Sequence, residues 1–211
     1  MILVGQYDSP FVRRIAIALH MLDIPFERDT RSVFADAEAM RTINPLGRIP
    51  SLILDAGEVL IDSYAILDHI DEMVGPSRAL LPAQGPERRR GLRIAAMATG
   101  GVEKAGAAVY ERLLRPADKQ FAPWIERVSL QTRSAVTALE AETGPGWYLG
   151  HGPTTPDVMV ACFIFYLRMR ASELFDAAAH PRLAAFAARA EAHPAFKATV
   201  PSDAESMPSR S

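Results

Sequence analysis

The sequence predicts a small α/β domain with the element order βαβ-ββα, followed by an all-α domain built as a helical bundle. Strand and helix patterns alternate over the first third of the 211 residues, and helical patterns alone fill most of the rest. Proline and glycine crowd the stretch where the pattern changes, which is typical of a boundary between domains. We therefore predict a first domain over 1–75, a linker over 76–86 and a helical domain over 87–198.

The first three elements form a βαβ unit. Residues 2–4 are a short apolar run that predicts a strand. Apolar residues then recur at three- to four-residue spacing from Phe11 to Leu22, as in an amphipathic helix. The run 25–30 predicts a second strand. A crossover helix between two such strands implies that they are parallel, with a right-handed connection.

A short helix, a hairpin and a longer helix complete this domain. The short helix is predicted over 35–42. Two apolar runs at 51–54 and 59–61 are separated by a turn sequence, which predicts an antiparallel hairpin. The last helix follows because Ile66 and Ile70 lie on one apolar face.

The second domain is predicted to be entirely helical. Its helices are expected at 87–114, 119–143, 155–171 and 182–192. The end of the chain is polar and contains proline without apolar periodicity, so we predict a disordered tail over 199–211.

Charge and cysteine content exclude several classes of protein. The chain has 23 Lys and Arg against 25 Asp and Glu, a net charge of -2, so it has no overall attraction for nucleic acid or acidic lipid. The single cysteine, Cys162, cannot form an intramolecular disulfide or a multi-cysteine metal site. No histidine pair has the spacing of a helical zinc site, and we predict no metal.

The chain is expected to be cytoplasmic, with no membrane partner. Its first residues lack the basic and long apolar regions of a signal peptide. Its longest apolar run, 158–167, is about half of what spans a bilayer.

The first candidate site is Ser9-Pro10, between the first strand and the first helix. Serine is a favoured helix N-cap and proline a favoured first helical residue, so capping alone explains the pair. The functional interpretation is that the Ser9 hydroxyl, at the positive end of the helix, stabilises an anion such as a thiolate.

The second candidate site is the loop 44–50, which ends at Pro50 directly before the third strand. Its prolines and glycine are sufficient to shape a loop. A cis peptide at Pro50 would also expose the backbone N–H and C=O of Ile49 to an extended peptide ligand.

The third candidate site is Asp62-Ser63, directly before the helix that carries Ile66. Either residue is a good N-cap. Functionally, the Ser63 N–H and hydroxyl would bind a ligand carboxylate while Asp62 accepts an ammonium group. The head group of an amino acid carries both of these charges.

Together these segments resemble the glutathione transferases over residues 1 to about 198. The matching segments are SPFVRR (9–14), NPLGRIP (44–50), DSYAI (62–66) and TTPD (154–157), the last resembling the family's capping box. The resemblance implies a thioredoxin-like N-terminal domain that binds glutathione as co-substrate. It also implies a helical domain that forms most of the electrophile pocket, and a homodimer.

The resemblance also implies roles for individual residues. Ser9 would meet the glutathione sulfur, the Ile49 backbone would bind the cysteinyl unit, and Asp62 with Ser63 would hold the γ-glutamyl end. The implied glutathione-binding residues are Ser9, Arg48, Ile49, the cis-proline Pro50, Asp62 and Ser63. We expect Phe11 and Tyr110 in the electrophile pocket.

Several alternatives stay open. Tyr7 is the second candidate for the hydroxyl that meets the sulfur. Serine at position 9, with Cys162 expected in a core helix, argues against mixed-disulfide chemistry. Conjugation, isomerisation, peroxide reduction and dehalogenation share the same glutathione half-site. A related binding or interaction protein without catalysis is the other class, because fold does not fix function.

Overall fold

The computed structural model of the chain describes residues 1–205, which form two compact units. The first unit comprises Met1–Ala83 together with the described residues from His193 onward, and the second comprises Gln84–Ala192. The change from one unit to the other at Gln84 falls inside the predicted linker 76–86.

The first unit is a four-stranded mixed sheet with helices. Its elements are β1 (Ile2–Val4), α1 (Pro10–Met21), β2 (Glu27–Asp29), α2 (Ala37–Ile43), β3 (Ser51–Ile53), β4 (Val59–Ile61) and α3 (Ser63–Val74). The strand order is β2-β1-β3-β4, with β1 parallel to β2 and β3 antiparallel to both of its neighbours. The predicted order βαβ-ββα is confirmed.

The core of this unit forms where the sheet meets α1 and α3. Leu3 pairs with Leu52 at the centre of the sheet, and both side chains are buried. The helices α1 and α3 pack against each other and contribute Ile15 and Ile70, which are also buried. Burying side chains of this size stabilises a fold by about 1.5–3 kcal/mol each, and this holds the strand ends in place.

The second unit is helical, as predicted. Its main helices are α4 (Gly85–Leu114), α5 (Ala122–Glu142), α6 (Thr155–Arg170) and α7 (Pro181–Ala192). Helix α4 packs on α5 and α6, and α6 is buried along almost its whole length. A Cβ atom at Gly101 would lie 2.5 Å from the ring of Phe163, so this glycine permits the close approach of α4 to α6. Within residues 1–205, every helix is too short or too polar to cross a bilayer.

The C-terminal segment differs from the prediction, because it belongs to the first unit. A short helix, α8 (Pro194–Lys197), and the residues after it pack beside α1. Arg13 is 0% exposed, and its guanidinium donates to the carbonyls of Thr199 at 3.1 Å and Phe196 at 3.2 Å. The helical unit therefore ends at Ala192, and not at residue 198.

The predicted disordered tail is also corrected in part. Residues Asp203–Glu205 form a 3-10 helix, and both Thr199 and Glu205 are buried. The polar composition of this segment concealed its order, because the bonds that hold it come from α1, β2 and the turn after β1. The rest of the predicted tail, 206–211, lies outside the described residues.

Candidate functional site

A cleft opens in the first unit beside β3, β4 and the start of α3. Its lining residues are Phe11, Asn44, Leu46, Arg48, Ile49, Pro50, Ile61, Asp62 and Ser63. The empty volume is about 360 Å³, including space open to solvent.

The turn after β1 brings the start of α1 close to the cleft loop. Gly5 has a φ of 130° in the left-handed half of conformational space. A Cβ atom there would lie 2.5 Å from Val12 and 2.9 Å from the Cβ of Ile49. Only glycine therefore lets the end of β1 pass between the start of α1 and Ile49.

Ser9 is the N-cap of α1, as its sequence position predicts. Its Oγ accepts the N–H of Val12 at 3.5 Å, a long separation for a hydrogen bond. Capping uses only an oxygen lone pair, so the hydroxyl hydrogen remains available to donate. The arrangement places a donor at the positive end of a 12-residue helix.

The loop before β3 is held in place by one buried side chain. Asn44 donates from Nδ2 to the carbonyl of Arg48 at 2.8 Å and accepts the N–H of Leu46 at 3.0 Å. The Ile49–Pro50 peptide bond is cis, as predicted. Both Ile49 and Pro50 line the cleft, directly before β3.

Asp62 has the most unusual backbone of the cleft residues. Its φ of 69° with ψ of 129° lies outside the common regions for a non-glycine residue. Such conformations cost about 1–3 kcal/mol and are concentrated at functional sites. The Asp62 carboxylate accepts the N–H of Tyr64 at 2.8 Å and is otherwise exposed at the start of α3.

Ser63 is oriented by a buried arginine that sequence reasoning missed. The Arg14 guanidinium donates to the Ser63 Oγ. It lies 4.8 Å from the ring centroid of Phe11 and 5.1 Å from that of Tyr64. The Ser63 oxygen accepts this bond, so its own hydrogen can point into the cleft. A fixed positive charge therefore stands directly behind the hydroxyl.

Tyr7 lies away from the lining of the cleft, under a cover of charged residues. Its side chain is 3% exposed, and the Arg28 guanidinium carbon lies 3.4 Å from its ring centroid. Glu205 accepts the Tyr7 N–H at 3.1 Å and forms an ion pair with Arg28. Burial raises the pKa of the Tyr7 phenol, and Arg28 opposes this only in part.

Glu205 is ionised in this cluster. Burial raises the pKa of its carboxyl group, but bonds from the N–H groups of Tyr7 and Ser202 and from the Arg28 guanidinium outweigh burial. The net pKa lies below its usual range. The C-terminal segment thus brings a negative charge to the turn that precedes Ser9.

The structure brings most of the predicted site residues together. Arg48, Ile49, Pro50, Asp62 and Ser63 all line the same cleft. Phe11, predicted for the electrophile pocket, lines this cleft as well, and its role at the electrophile stays a prediction. Ser9 lies at the start of the helix that carries Phe11, outside the lining itself. Tyr110 is on α4 in the other unit and is 45% exposed, and its predicted role stays a prediction. Cys162 is buried in α6, as expected.

Four residues that shape the site were missed as functional. They are Gly5, Arg14, Asn44 and Glu205. Asn44 and Arg14 lie inside the motif segments 44–50 and 9–14, so the family resemblance already drew attention to their positions. Glu205 carried no such signal, because the two partners that link it to the site, Arg28 and Tyr7, lie 177 and 198 residues away.

Comparison with known proteins identifies the family. Residues 3–78 match the family described as glutathione S-transferase, N-terminal domain, and residues 122–189 match the one described as glutathione S-transferase, C-terminal domain. The chain belongs to the glutathione S-transferase family. The predicted fold class, a thioredoxin-like domain followed by a helical domain, is confirmed by this match.

Individual members of the glutathione S-transferase family resemble the chain over nearly its whole length. Maleylacetoacetate isomerase of Pseudomonas aeruginosa is 30% identical over 212 residues, covering 96% of each chain. A glutathione S-transferase of Methylobacterium radiotolerans in complex with glutathione sulfonate superposes with a TM-score of 0.90 at 28% identity, covering 100% of this chain and 98% of that one. A glutathione transferase family member from Pseudomonas fluorescens with bound glutathione superposes with a TM-score of 0.84 at 33% identity, covering 95% of this chain and 98% of that one.

Proposed function

We propose that this protein binds glutathione in the cleft and activates its thiol as a thiolate for attack on a small, largely apolar electrophile. The observation that carries the proposal is that Ile49 and Pro50 line the same cleft as Asp62 and Ser63 at the start of α3. The solved relatives that contain glutathione or glutathione sulfonate support it.

The charges around the cleft complement those of glutathione. The tripeptide carries two carboxylates and one ammonium group at neutral pH. The cleft offers the Arg48 cation, the Arg14 cation behind Ser63, and the Asp62 carboxylate. In the proposed mode Ser63 binds the γ-glutamyl carboxylate, Asp62 accepts the ammonium, and Arg48 faces the second carboxylate. The Ile49 backbone pairs with the cysteinyl unit between these ends.

Activation of the thiol requires one hydrogen bond and a favourable field. A thiol with a pKa of about 8.5 is mostly protonated at neutral pH. The Ser9 hydroxyl donates to the sulfur, and the helix terminus behind it favours the negative charge. The sulfur then attacks the electrophilic carbon, the leaving group departs with its electron pair, and the thiol proton passes to solvent.

Conjugation is the reaction we propose, and isomerisation is the second candidate. The similarity to a maleylacetoacetate isomerase over 96% of each chain favours this second candidate. Both reactions use the same glutathione half-site, and a substrate screen with each class of electrophile separates them. The homodimer and the cytoplasmic location stay predictions.

Calorimetric titration with reduced glutathione tests the binding proposal. We expect saturable binding at one site per chain. Ophthalmic acid, which lacks the thiol, should also bind, since its head groups are the same, but with the weaker affinity expected without a sulfur. No binding at millimolar glutathione would contradict the proposal and favour an interaction protein.

Removing the head-group contacts should weaken glutathione binding. We expect Asp62→Asn and Ser63→Ala each to raise the Kd for glutathione about ten- to hundredfold, because a charge-assisted bond contributes about 1.5–3 kcal/mol. Asparagine keeps an acceptor for the Tyr64 N–H and tolerates the positive φ of Asp62, so this variant removes the charge with little effect on the fold.

Glu72→Ala is the matched control for these variants. Glu72 is an exposed carboxylate in the last turns of α3, and its loss should leave the Kd unchanged. Circular dichroism checks that each variant is folded. A Kd unchanged in both Asp62→Asn and Ser63→Ala would refute the assignment of the head group.

A further inference from the structure

The C-terminal segment holds the turn that leads into Ser9. Glu205 accepts the backbone N–H of Tyr7 at 3.1 Å, with its other oxygen 3.1 Å from the N–H of Ser202. Arg28, on the edge strand β2, pairs with the same carboxylate while covering the ring of Tyr7. Tyr7 is therefore held by its backbone and by its ring at once.

The segment that carries Glu205 is itself anchored in the same unit. Arg13 in α1 donates to the carbonyls of Thr199 and Phe196, and the Arg13 side chain is fully buried. Burying an arginine requires that its donors be satisfied, so these bonds fix the path of the chain towards residue 205. The carboxylate thus reaches Tyr7 from a segment held by the helix that Ser9 caps.

A tight, hydrogen-bonded turn joins Tyr7 to Ser9. The Ser9 N–H donates to the carbonyl of Gln6 at 3.1 Å, and the Ser9 carbonyl accepts the first helical bond from Arg13 at 2.9 Å. Because the turn 6–9 is short and closed by the Ser9–Gln6 bond, a shift of Tyr7 would also displace the hydroxyl at its end. Displacements of about 1 Å remote from the reacting atoms can lower a rate up to about hundredfold.

We propose that Glu205 is a positioning residue for the thiolate site, acting through Tyr7 and the turn 6–9 to hold the Ser9 hydroxyl against the glutathione sulfur. This inference rests on the proposed function. Among the described residues, the charged and titratable groups that face Glu205 are the Arg28 guanidinium and the Tyr7 phenol. Glu205 touches neither glutathione nor the electrophile in this proposal, so its effect appears on the sulfur and leaves the head groups bound as before.

The experiment measures the pKa of the bound glutathione thiol in the full-length protein. The ultraviolet absorbance of the thiolate is titrated against pH for the wild type, Glu205→Ala and Glu205→Gln. Steady-state kinetics with chlorodinitrobenzene as the electrophile give kcat and the KM for glutathione. Asp203→Ala is the matched control, because Asp203 is an exposed carboxylate in the same 3-10 helix.

We expect Glu205→Ala to raise the bound thiol pKa by about one unit and to lower kcat about tenfold, with the KM for glutathione within about twofold of the wild type. Glu205→Gln keeps an acceptor for the Tyr7 N–H but loses the ion pair, so its shift should be smaller and in the same direction. Asp203→Ala should match the wild type. If Glu205→Ala does not fold, the Glu205→Gln titration decides.

Two results would overturn parts of the proposal separately. If the wild type and the Glu205 variants lower the thiol pKa of bound glutathione equally, the positioning role is refuted and the proposed function stands. A reduced melting temperature without a change in thiol pKa also refutes the positioning role, since a purely structural residue behaves in that way. A wild type that leaves the thiol pKa of glutathione unchanged overturns the proposed function, and the positioning role with it.

Discussion

Replacing Ser9 by alanine is expected to lower kcat about ten- to hundredfold while changing the Kd for glutathione little. The hydroxyl caps α1 through its oxygen, over a long 3.5 Å contact to the Val12 N–H, and keeps its hydrogen for the sulfur. Hydrogen bonds to charged groups contribute about 1.5–3 kcal/mol, and about 1.4 kcal/mol corresponds to a tenfold change in rate. This stabilisation acts on the thiolate, so it appears in kcat.

The measurement is the pH dependence of kcat, with thiol ionisation titrated in parallel. Ser9→Thr is the conservative variant, because threonine keeps both a cap and a hydroxyl, and it should retain most of the activity. Tyr7→Phe is the competing variant. Tyr7 is buried under Arg28 whereas Ser9 is partly exposed, which predicts that the Tyr7 hydroxyl is dispensable. Loss of turnover in Tyr7→Phe with normal turnover in Ser9→Ala would show that the Tyr7 hydroxyl, and not that of Ser9, stabilises the thiolate.

Replacing Asp157 by alanine is expected to destabilise the helical unit by about 2–4 kcal/mol, the largest effect on stability that we predict. Asp157 is 0% exposed at the third position of α6. Its carboxylate accepts the N–H of Tyr148 at 2.9 Å and the N–H of Thr154 at 2.9 Å, and it also accepts the Thr154 hydroxyl. Alanine leaves the buried N–H of Tyr148 and the partly buried N–H of Thr154 without this acceptor, and it removes one arm of the capping box.

Urea unfolding followed by tryptophan fluorescence measures this loss. Both tryptophans, Trp124 and Trp147, lie in the helical unit, so their signal reports on that unit. Asp157→Asn keeps one acceptor and should lose less stability than the alanine variant. Asp118→Ala, at an exposed aspartate of the same unit, should change stability by less than about 0.5 kcal/mol. A similarly small effect of Asp157→Ala would contradict the role given to this carboxylate.

The elements of both units could be predicted from local patterns. The periodicity of apolar residues located α1 and α3, and alternation with turn residues located the β3–β4 hairpin. The positions of Ser9, Pro50, Asp62 and Ser63 were also readable, because N-caps and a proline before a strand are defined by adjacent residues. No single one of these short segments predicts that these residues lie close together in space.

Arg13 shows why the rest could not be predicted. An arginine on an amphipathic helix is ordinarily exposed. This one is buried because carbonyls 183 and 186 residues away accept its hydrogen bonds. The polar segment after Ala198 likewise showed no local sign of order, yet Glu205 is buried against Tyr7.

Local sequence patterns were sufficient to predict the order of the elements, a change of domain within 76–86 and the residue types of the proposed glutathione site. These depend on side-chain periodicity, capping and turn chemistry within a few residues of each other. Three features became visible only in the three-dimensional structure. Arg14 donates to Ser63, the absence of a side chain at Gly5 leaves room for Ile49, and the chain returns after Ala192 to complete the first unit. The physical reason is that a buried polar group must find its partner wherever the fold brings one, and that partner can lie anywhere in the chain.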